Sequence, residues 1–581
     1  MVFIPPAWVP QLPFDPPDSI PLHEFIGDER YGRLPFDRSQ NPFTCGLTGK
    51  TYTHAEMSER QELLARSLSK RMGWRPNEDT PWDKVVGIYS PNAIDYLMST
   101  FAVHRLSGIV TPANAMYSAA ELEHQLKSSG SKVLFTAPSL LDNALKATRA
   151  SNIPDERIFL LDVPGQVPDP RFKTIDDLIT EGRSLPELEP LKWIKGQGAR
   201  QVAYLCYSSG TSGLPKAVMI AHRNVIANIM QIRWHEDAAR KQSGVETQTQ
   251  IGLLPMSHIY ALVVTVNTGA YRGDGVIVLP RFELKTLLES IQRFKVNFMH
   301  LVPPIIIQLL RNQDLCAKYD LSSVRFIYTG AAPLGAETHE DMLRAFPGIK
   351  LGQGYGMTET STVAISTAEH DIVIGTSGSL VSGVRARLLD EEGREITEHG
   401  RRGELLLQSP SVTLGYLHNE RATSETFVYD DEGGRWIRTG DIAVVSRSPA
   451  GHEHFAVVDR LKELIKTKGH QVAPAELEAH LLTHPAVNDC AVIPVPDERA
   501  GEVPKAFVVR SASASAADKP DDDVVARDIA AHVEAHKARY KWLKGGVEFV
   551  DVIPKSPSGK ILRRLLKDKE REARRAKGAK L

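Results

Sequence analysis

Through residues 80 to 370, runs rich in β-branched residues alternate with segments of helical period, the pattern of α/β layers rather than of an all-β or all-α fold. Val85 to Tyr89 predicts one such strand, and Ala119 to Leu126 opens a helix. From Gly375 to Val458 the texture changes to short strands separated by Gly, Asp and Glu turns, with Arg385 to Asp390, Gly403 to Leu407 and Ile442 to Val445 as members of a β-rich unit. After Asp459 it changes again. Pro474 stands at the first helical position of Ala475 to Leu482, a strand follows at Cys490 to Val495, a helix at Val525 to Tyr540 and a strand at Val547 to Ile553, which together predict a small α+β domain. Ser511 to Asp523, rich in Ser, Ala and Asp, reads as an exposed loop within it, and no internal repeat interrupts the series.

Length adds that 581 residues exceed one ordinary core; at about 150 residues per domain, three or four structural units are expected. With 42% hydrophobic and 24% charged residues the chain is globular rather than disordered or fibrous. Lys and Arg number 70 against 71 Asp and Glu, so an overall footprint for nucleic acid or an anionic membrane is excluded and any anion site must be local. The four cysteines, Cys45, Cys206, Cys316 and Cys490, are scattered without a paired motif, which suits a reducing compartment. Met1 to Pro21 is proline-rich and lacks the basic-then-apolar order of a secretory signal. Ser257 and His258 interrupt the apolar run Ile251 to Val266, and Pro303 and Pro304 interrupt Phe298 to Leu310, so no membrane span is expected and the protein should be soluble.

The strongest local signal is the run Ser208, Ser209, Gly210, Thr211, Ser212, Gly213, Leu214, Pro215, Lys216, preceded by the apolar stretch Val202 to Tyr207. Small residues let backbone N–H groups approach an anion, the hydroxyls add donors and the lysine supplies a point charge, which makes this a phosphate cradle. Ala217 to Ile220 continues as a β-like run, so a Walker arrangement with a helix N-terminus aimed at the phosphate is not expected. A flexible Ser/Gly linker would need neither the flanking strands nor the Pro-Lys ending.

Six further segments follow in order: Leu254 to Tyr260 (Leu-Pro-Met-Ser-His-Ile-Tyr), Gly330 to Gly335 (Gly-Ala-Ala-Pro-Leu-Gly), Gly352 to Glu359 (Gly-Gln-Gly-Tyr-Gly-Met-Thr-Glu), Trp436 to Asp441 (Trp-Ile-Arg-Thr-Gly-Asp), Asp459 to Gln471, and Pro554 to Lys560 (Pro-Lys-Ser-Pro-Ser-Gly-Lys). With the loop at Ser208 they resemble the adenylate-forming superfamily of acyl-CoA synthetases, adenylation domains and beetle luciferases, especially its coumarate-CoA-ligase-like and fungal aryl- or acyl-ligase branch. The resemblance spans nearly the whole chain. It implies an α/β fold with a large N-terminal region, residues 1–461, of two α/β subdomains plus a β-barrel-like unit at 375–458, then a mobile α+β C-terminal domain at 462–581 hinged at Lys462. It also implies an ATP-dependent acid–thiol ligase that forms an acyl-AMP, releases pyrophosphate and transfers the acyl group to coenzyme A. A stand-alone adenylation enzyme that loads a carrier protein and a luciferase-like oxygenase remain alternatives.

By the same resemblance Lys560 reaches the α-phosphate and the substrate carboxylate, Glu359 binds Mg²⁺ and Thr358 contacts phosphate. Asp441 and Arg460 hold the ribose, Tyr355 stacks on adenine, and Ala331, Gln353 and Gly354 line its edge. Lys466 and Gln471 complete the match on the small domain; Lys468, Gly469 and Arg281 approach coenzyme A. His258 borders the carboxylate and phosphates, although a lone histidine in an apolar run reads equally as a satisfied core residue. Tyr260, Val263, Val264, Tyr328 and Gly354 are assigned to the acyl pocket. Two departures from coumarate ligases, Val263–Val264 after the His-Ile-Tyr segment and Tyr328 in place of a lysine, count against a phenolic acid, because valines cannot partner a buried hydroxyl and leaving it unpaired costs about 1–3 kcal/mol. An apolar aryl, arylalkanoic or medium-chain acid is expected.

Outside the motifs, His480 and His484 stand four apart on a helix as a conceivable metal pair without an evident third ligand. Arg563 to Lys580 reads as a solvated basic helix and tail. The sequence closes on Ala579-Lys580-Leu581, a variant of the Ser-Lys-Leu peroxisomal address, which predicts recognition by an import receptor and a peroxisomal location, with the cytoplasm as the alternative.

Overall fold

The computed structural model describes residues 2–208, 215–468, 470–497, 499–511, 521–556 and 559–578, with side chains described to residue 575. Two large sheets form the α/β layers. In the first, Val85–Tyr89 is buried along its whole length between parallel neighbours Ile109–Ala113 and Val133–Thr136; Val202–Ser208 lies beyond Ile109–Ala113 and is paired antiparallel with Lys216–Ala221. The second has nine strands, of which Gly275–Val278, Thr249–Gly252, Phe298–Leu301, Phe326–Thr329 and Lys350–Met357 run parallel in that spatial order. Strands covered on both faces read as continuous apolar runs, which is why the sequence shows blocks of Val, Ile and Leu here. The connecting helices start where their caps dictate: Thr53 with Glu56 opens His54–Met72, and Ser118 with Glu121 opens Ala119–Ser129, each as a reciprocal capping box.

The β-rich unit is an antiparallel sheet of five strands, Arg385–Leu389, Arg402–Gln408, Arg435–Arg447, Phe427–Tyr429 and Glu453–Arg460. It shares one apolar core with the two large sheets, whose buried members run from Phe3 to Phe455. A second group of elements, Pro474–Leu481, Val487–Asp497, Gly501–Arg510, Asp522–His536 and Val547–Phe549, closes over its own cores, one from Ile465 to Leu543 and one from Ala491 to Leu566. The apolar side chains thus divide into a large N-terminal and a small C-terminal body. No helix among the described residues is long and apolar enough to cross a membrane.

One expected element differs in extent, and one apolar run resolves into two elements. Val547 to Ile553 is a strand only over Val547–Phe549, because it pairs with Ala506 to Val508 alone before Pro554. Ile251 to Val266 divides into the strand Thr249–Gly252 and a π-helical segment, Tyr260–Asn267, in which Thr268 Oγ1 donates to the Val263 carbonyl at 2.8 Å and Asn267 Nδ2 to the Leu262 carbonyl at 2.6 Å. Most of the Ser511 to Asp523 loop lies outside the described residues.

The small body is fastened from within by Arg563. Its guanidinium pairs with Glu463, with Glu478 Oε2 at 2.6 Å and with the Val492 carbonyl at 3.2 Å, while Glu478 Oε1 accepts the Val492 N–H at 2.7 Å. Burial works against both charges and raises the Glu478 pKa; for Arg563 the carboxylates of Glu478, Glu463 and Asp459 outweigh burial and hold its proton more firmly than usual. Removing one partner of such a cluster leaves uncompensated buried charge, so Arg563→Ala is expected to lower stability by about 3–5 kcal/mol in urea unfolding. A loss below about 1 kcal/mol, the scale of an exposed pair, would show that the cluster contributes little.

Candidate active site

The C-terminal ends of the parallel strands of the second sheet converge with a hairpin of the first, where open α/β sheets place their ligands. Thr249–Gly252 leads to His258, Phe326–Thr329 to Gly330 and Ala331, and Lys350–Met357 to Thr358 and Glu359. From the first sheet, Ser208 stands opposite Lys216 in the register of Val202–Ser208 with Lys216–Ala221. A strand therefore follows the Ser/Gly loop, as its sequence predicts; Ser209, Gly210, Thr211, Ser212 and Gly213 themselves lie outside the described residues.

Glu359 is buried, and its Oε1 accepts from Ser208 Oγ at 3.1 Å and from the Tyr416 hydroxyl at 2.8 Å. Lys216 Nζ lies 4.9 Å from the centroid of the Tyr416 ring, so one tyrosine joins the lysine of the cradle to the carboxylate. A single oriented carboxylate with hydroxyl neighbours fits Mg²⁺, which takes oxygen donors and usually keeps one or two protein carboxylates beside water and phosphate. Thr358 is half-buried at the start of the short turn Thr358–Thr360.

Asp441 and Arg460 face each other across paired antiparallel strands, with Arg460 Nε 3.5 Å from Asp441 Oδ1, while the Tyr355 hydroxyl donates to Asp441 Oδ2 at 2.6 Å. Burial raises the Asp441 pKa against the opposing pull of Arg460, and it pushes the Tyr355 phenol well up, with the Asp441 charge adding to the effect. Gln353 is anchored by its own amide: Oε1 accepts the Leu334 N–H at 3.0 Å and Nε2 donates to the Leu334 carbonyl at 3.4 Å, which ties the Gly330 turn to the strand below. In that turn Ala331 holds φ +69°, a left-handed conformation that costs a residue with a Cβ. Gly354 and Gly356 are required by close approach; a Cβ would fall 1.9 Å from the Tyr328 hydroxyl at the first and 1.5 Å from the Thr362 carbonyl oxygen at the second.

The C-terminal body contributes Lys560. Its loop is closed by the bridge between Lys555 and Ile561 and by the Ser556 N–H to Lys560 carbonyl bond at 2.7 Å, and a Cβ on Gly559 would touch Pro304 of the large body at 3.4 Å. Burial, then the positive charge of Arg460, bring the Lys560 ammonium down to about 8, while Glu463, Asp441 and Glu359 pull it upward. His258 is brought down to about 4, first by burial and then by Lys560, so it is neutral at physiological pH. The Tyr260 N–H donates to His258 Nδ1 at 3.3 Å, which leaves Nε2 as the proton-bearing nitrogen.

On the other side of Gly354, the Tyr260 hydroxyl donates to the Tyr328 carbonyl at 2.9 Å, and the Tyr328 hydroxyl is paired with Ser366 Oγ at 2.9 Å. Val263 and Val264 are fully buried on the π-helical segment. His300, held neutral by burial that lowers its pKa to about 3, packs edge-on to both Tyr260 and Tyr328.

Other predicted residues stand apart from this cluster. Lys462, Lys466 and Lys468 are exposed, Lys468 with φ +49°, and Gln471 Nε2 donates to Glu391 at the edge of the β-rich unit. Gly469 lies outside the described residues, and Arg281 is exposed in the turn after Gly275–Val278. Sequence reasoning did not single out Tyr416, Ser366 or Glu463. Tyr416 and Ser366 lie in none of the motifs, Glu463 lies within the Asp459 to Gln471 segment without a role assigned to it, and Tyr416 meets Glu359 only across 56 intervening positions.

The sequence pattern of the AMP-binding enzyme family matches residues 37–417, and that of the AMP-binding enzyme C-terminal domain matches residues 476–560. The acyl-CoA ligase easD of Emericella nidulans is 40% identical over 98% of this chain and 100% of its own length, and the acyl-CoA ligase AKT1 of Alternaria alternata is 42% identical over 98% and 97%. A peroxisomal OPC-8:0-CoA ligase of Arabidopsis thaliana is 35% identical over 95% and 94%. Among solved structures, the anthranilate CoA ligase AuaEII in complex with anthranoyl-AMP superposes with a TM-score of 0.79 at 24% identity, covering 96% of this chain and 98% of that one. The chain belongs to the AMP-binding enzyme family, within the adenylate-forming superfamily and its fungal branch of acyl-CoA ligases.

Proposed function

We propose that this AMP-forming acyl-CoA synthetase activates an apolar aryl, arylalkanoic or medium-chain carboxylic acid, with the residues gathered around Glu359, Asp441 and Lys560 performing the first half-reaction. The observation that carries the reading is Lys560, delivered by the C-terminal body into a cluster with Asp441, Arg460, Glu359 and His258. A carboxylate oxygen of the acid forms a bond to the α-phosphorus of ATP, the bond to the β-phosphate oxygen breaks, and pyrophosphate leaves with that electron pair. Two anions must be held in line while charge builds on the phosphate, so preorganised cations and donors are the main requirement. Lys560 and the Nε2 proton of His258 meet it at the α-phosphate and carboxylate, Ser208 and the loop to Lys216 hold the outer phosphates with Thr358, and Glu359 would hold Mg²⁺, which neutralises phosphate charge when bound. Asp441 and Arg460 take the ribose and Tyr355 the adenine, beside Ala331, Gln353 and Gly354.

In the second half-reaction the thiol of coenzyme A attacks the acyl carbon and AMP departs. Lys466, Lys468 and Gln471 lie on a hairpin apart from Lys560, with both lysines exposed, so one face of residues 462–581 can serve at a time. Rotation about Lys462 exchanges them, and Arg281 would meet the nucleotide end of coenzyme A. The acyl-CoA ligases among the relatives favour coenzyme A over a carrier protein or an oxygenase outcome.

Lys560→Ala should lower acyl-adenylate formation by at least a hundredfold, read by pyrophosphate release, and leave acyl-CoA formation from supplied acyl-AMP nearly unchanged, whereas Lys468→Ala should show the opposite imbalance. Equal losses in both steps would count against the assignment. Because Lys560 loses its proton as pH rises through about 8, kcat/KM for ATP should fall above that pH in the adenylation step, and Lys560→Arg, which keeps its charge, should remove that alkaline limb even if its rate is lower.

The acid is the next prediction. Val263 and Val264 are fully buried and carry no polar group that could pair with a phenol, and the Tyr328 hydroxyl already has a partner in Ser366. Cinnamate should therefore exceed coumarate in kcat/KM, and phenylacetate its 4-hydroxy analogue, with Val264→Ser shifting selectivity towards the phenols. A consistent preference of the unaltered enzyme for phenols would overturn this pocket. For location, the peroxisomal relative and the terminal Ala579-Lys580-Leu581, which lies outside the described residues, support import into peroxisomes. A fluorescent fusion with this terminus free should become punctate; cytosolic signal in cells with a working import receptor would refute it.

A further inference from the structure

The helix Pro474–Leu481 carries His480 in its last turn and leads to His484, while the helix Asp522–His536 carries His532 and His536 one turn apart. The helices pack so that the four imidazoles meet. His480 and His532 stack at 4.3 Å between ring centroids with 5° between their planes, and His480–His536, His484–His532 and His532–His536 each lie 5.2 Å apart. A ring nitrogen from each of His480, His532 and His536 falls within 4.8 Å of the others. His484, the partner that the four-residue spacing suggested, lies outside this group with its Nε2 3.2 Å from Asp528 Oδ2, and the ligands beside His480 come instead from a helix about fifty positions on.

We propose that His480, His532 and His536 bind a zinc-type divalent transition ion, which clamps these two helices of the C-terminal body. Imidazole nitrogen is a borderline ligand suited to Zn²⁺, Co²⁺, Ni²⁺ and Cu²⁺ and poorly to Mg²⁺, so the site does not compete for the ion that ATP requires. The nitrogens need only modest closure to reach a common ion at about 2.0–2.1 Å each, and the parallel His480 and His532 rings must tilt to aim their lone pairs at one point. The bonds that tilt would exchange are weak or local: His480 Nε2 lies 3.3 Å from the His532 carbonyl, His532 Nε2 lies 3.0 Å from Thr483 Oγ1, and His536 Nδ1 lies 2.9 Å from the same carbonyl one turn before it. Burial lowers the proton affinity of His480 and His532, and for His532 its neighbours His480 and His484 add to this. The surrounding charges tolerate a cation. Asp528 Oδ2 sits 3.2 Å from His484 Nε2, Glu337 acts on His480 from the large body, and Lys537, the nearest cation, has its ammonium 3.8 Å from Glu476.

The test uses the full chain without a polyhistidine tag, stripped with a chelator and dialysed against Zn²⁺ or Co²⁺. One ion per chain is expected, with a visible spectrum of nitrogen-ligated Co²⁺ and a rise in melting temperature on adding Zn²⁺. His532→Gln and His536→Gln, taken separately, should weaken binding at least tenfold and abolish the rise. Magnesium-dependent pyrophosphate release in zinc-free buffer should remain at the parent level, which certifies that each variant is folded. Failure of the parent chain to retain Zn²⁺, or equal retention by the folded His536→Gln variant, whose side chain is exposed, would overturn the site and leave the four rings as a packing cluster.

Discussion

The arrangement depends on burying several charges of both signs at the place where the small C-terminal body meets the large one. Asp441, Arg460, Glu359 and Lys560 come from separate segments, and each is costly to desolvate alone. Their mutual field decides their state. Asp441 is pushed up by burial and drawn back by Arg460, whereas Lys560 is brought down by burial and by Arg460 and is sustained by three carboxylates. A lysine poised near about 8 is one whose proton affinity will rise sharply when polyanionic ATP arrives, so the site is incomplete electrostatically until its substrate supplies the missing negative charge.

Backbone geometry supports this charge cluster more than side-chain bulk does. Gly354 leaves space for the Tyr328 hydroxyl, which reaches Ser366, and Gly356 lets two strands approach where a Cβ would strike a carbonyl oxygen. The Gly330 turn is then fixed from beneath by Gln353, which accepts and donates to the same residue, Leu334, and allows Ala331 to persist in a left-handed conformation. The strain of one residue is held by the hydrogen bonds of another twenty-odd positions away. Such over-determination makes the turn rigid.

How much of this could be read in the sequence depends on whether the interaction was local. The strand Val85–Tyr89, the helix starting at Ala119 and the proline at the first turn of Pro474–Leu481 are set by neighbours a few residues away, and all were legible. The Ser/Gly loop was also legible as the tip of a hairpin, because Ala217 to Ile220 already reads as β. Tyr416 on Glu359, Ser366 on Tyr328 and the Arg563 cluster were not, since each joins segments separated by tens of positions with no motif of their own. The π-helical turn at Tyr260–Asn267 escaped for a different reason: its apolar run fits several periods, and only the carbonyl bonds of Asn267 and Thr268 select one. His480 and His484 looked like half a site for the same reason of distance, as His532 and His536 enter only through helix packing.

The two kinds of polar contact around Lys560 also differ in a way that matters for a domain asked to rotate. Inside the small body Arg563, Glu463 and Glu478 are nearly inaccessible to water and bonded to one another, so the element behind Lys560 must move as one piece. Across the seam the contacts are mixed: Gln471 with Glu391, Arg311 with the Val487 carbonyl at 2.8 Å and with Asn488, the close fit of Gly335 to Ala479, and a small buried apolar cluster of Ile442, Leu464 and Ala473. Water can substitute for the hydrogen bonds among these at small net cost, whereas the Arg563 cluster is nearly buried. Rigidity within the small body, with replaceable hydrogen bonds at its edge, suits the proposed alternation of Lys560 with the Lys466 to Gln471 hairpin, because a ligand in the site can then bias the equilibrium between two orientations.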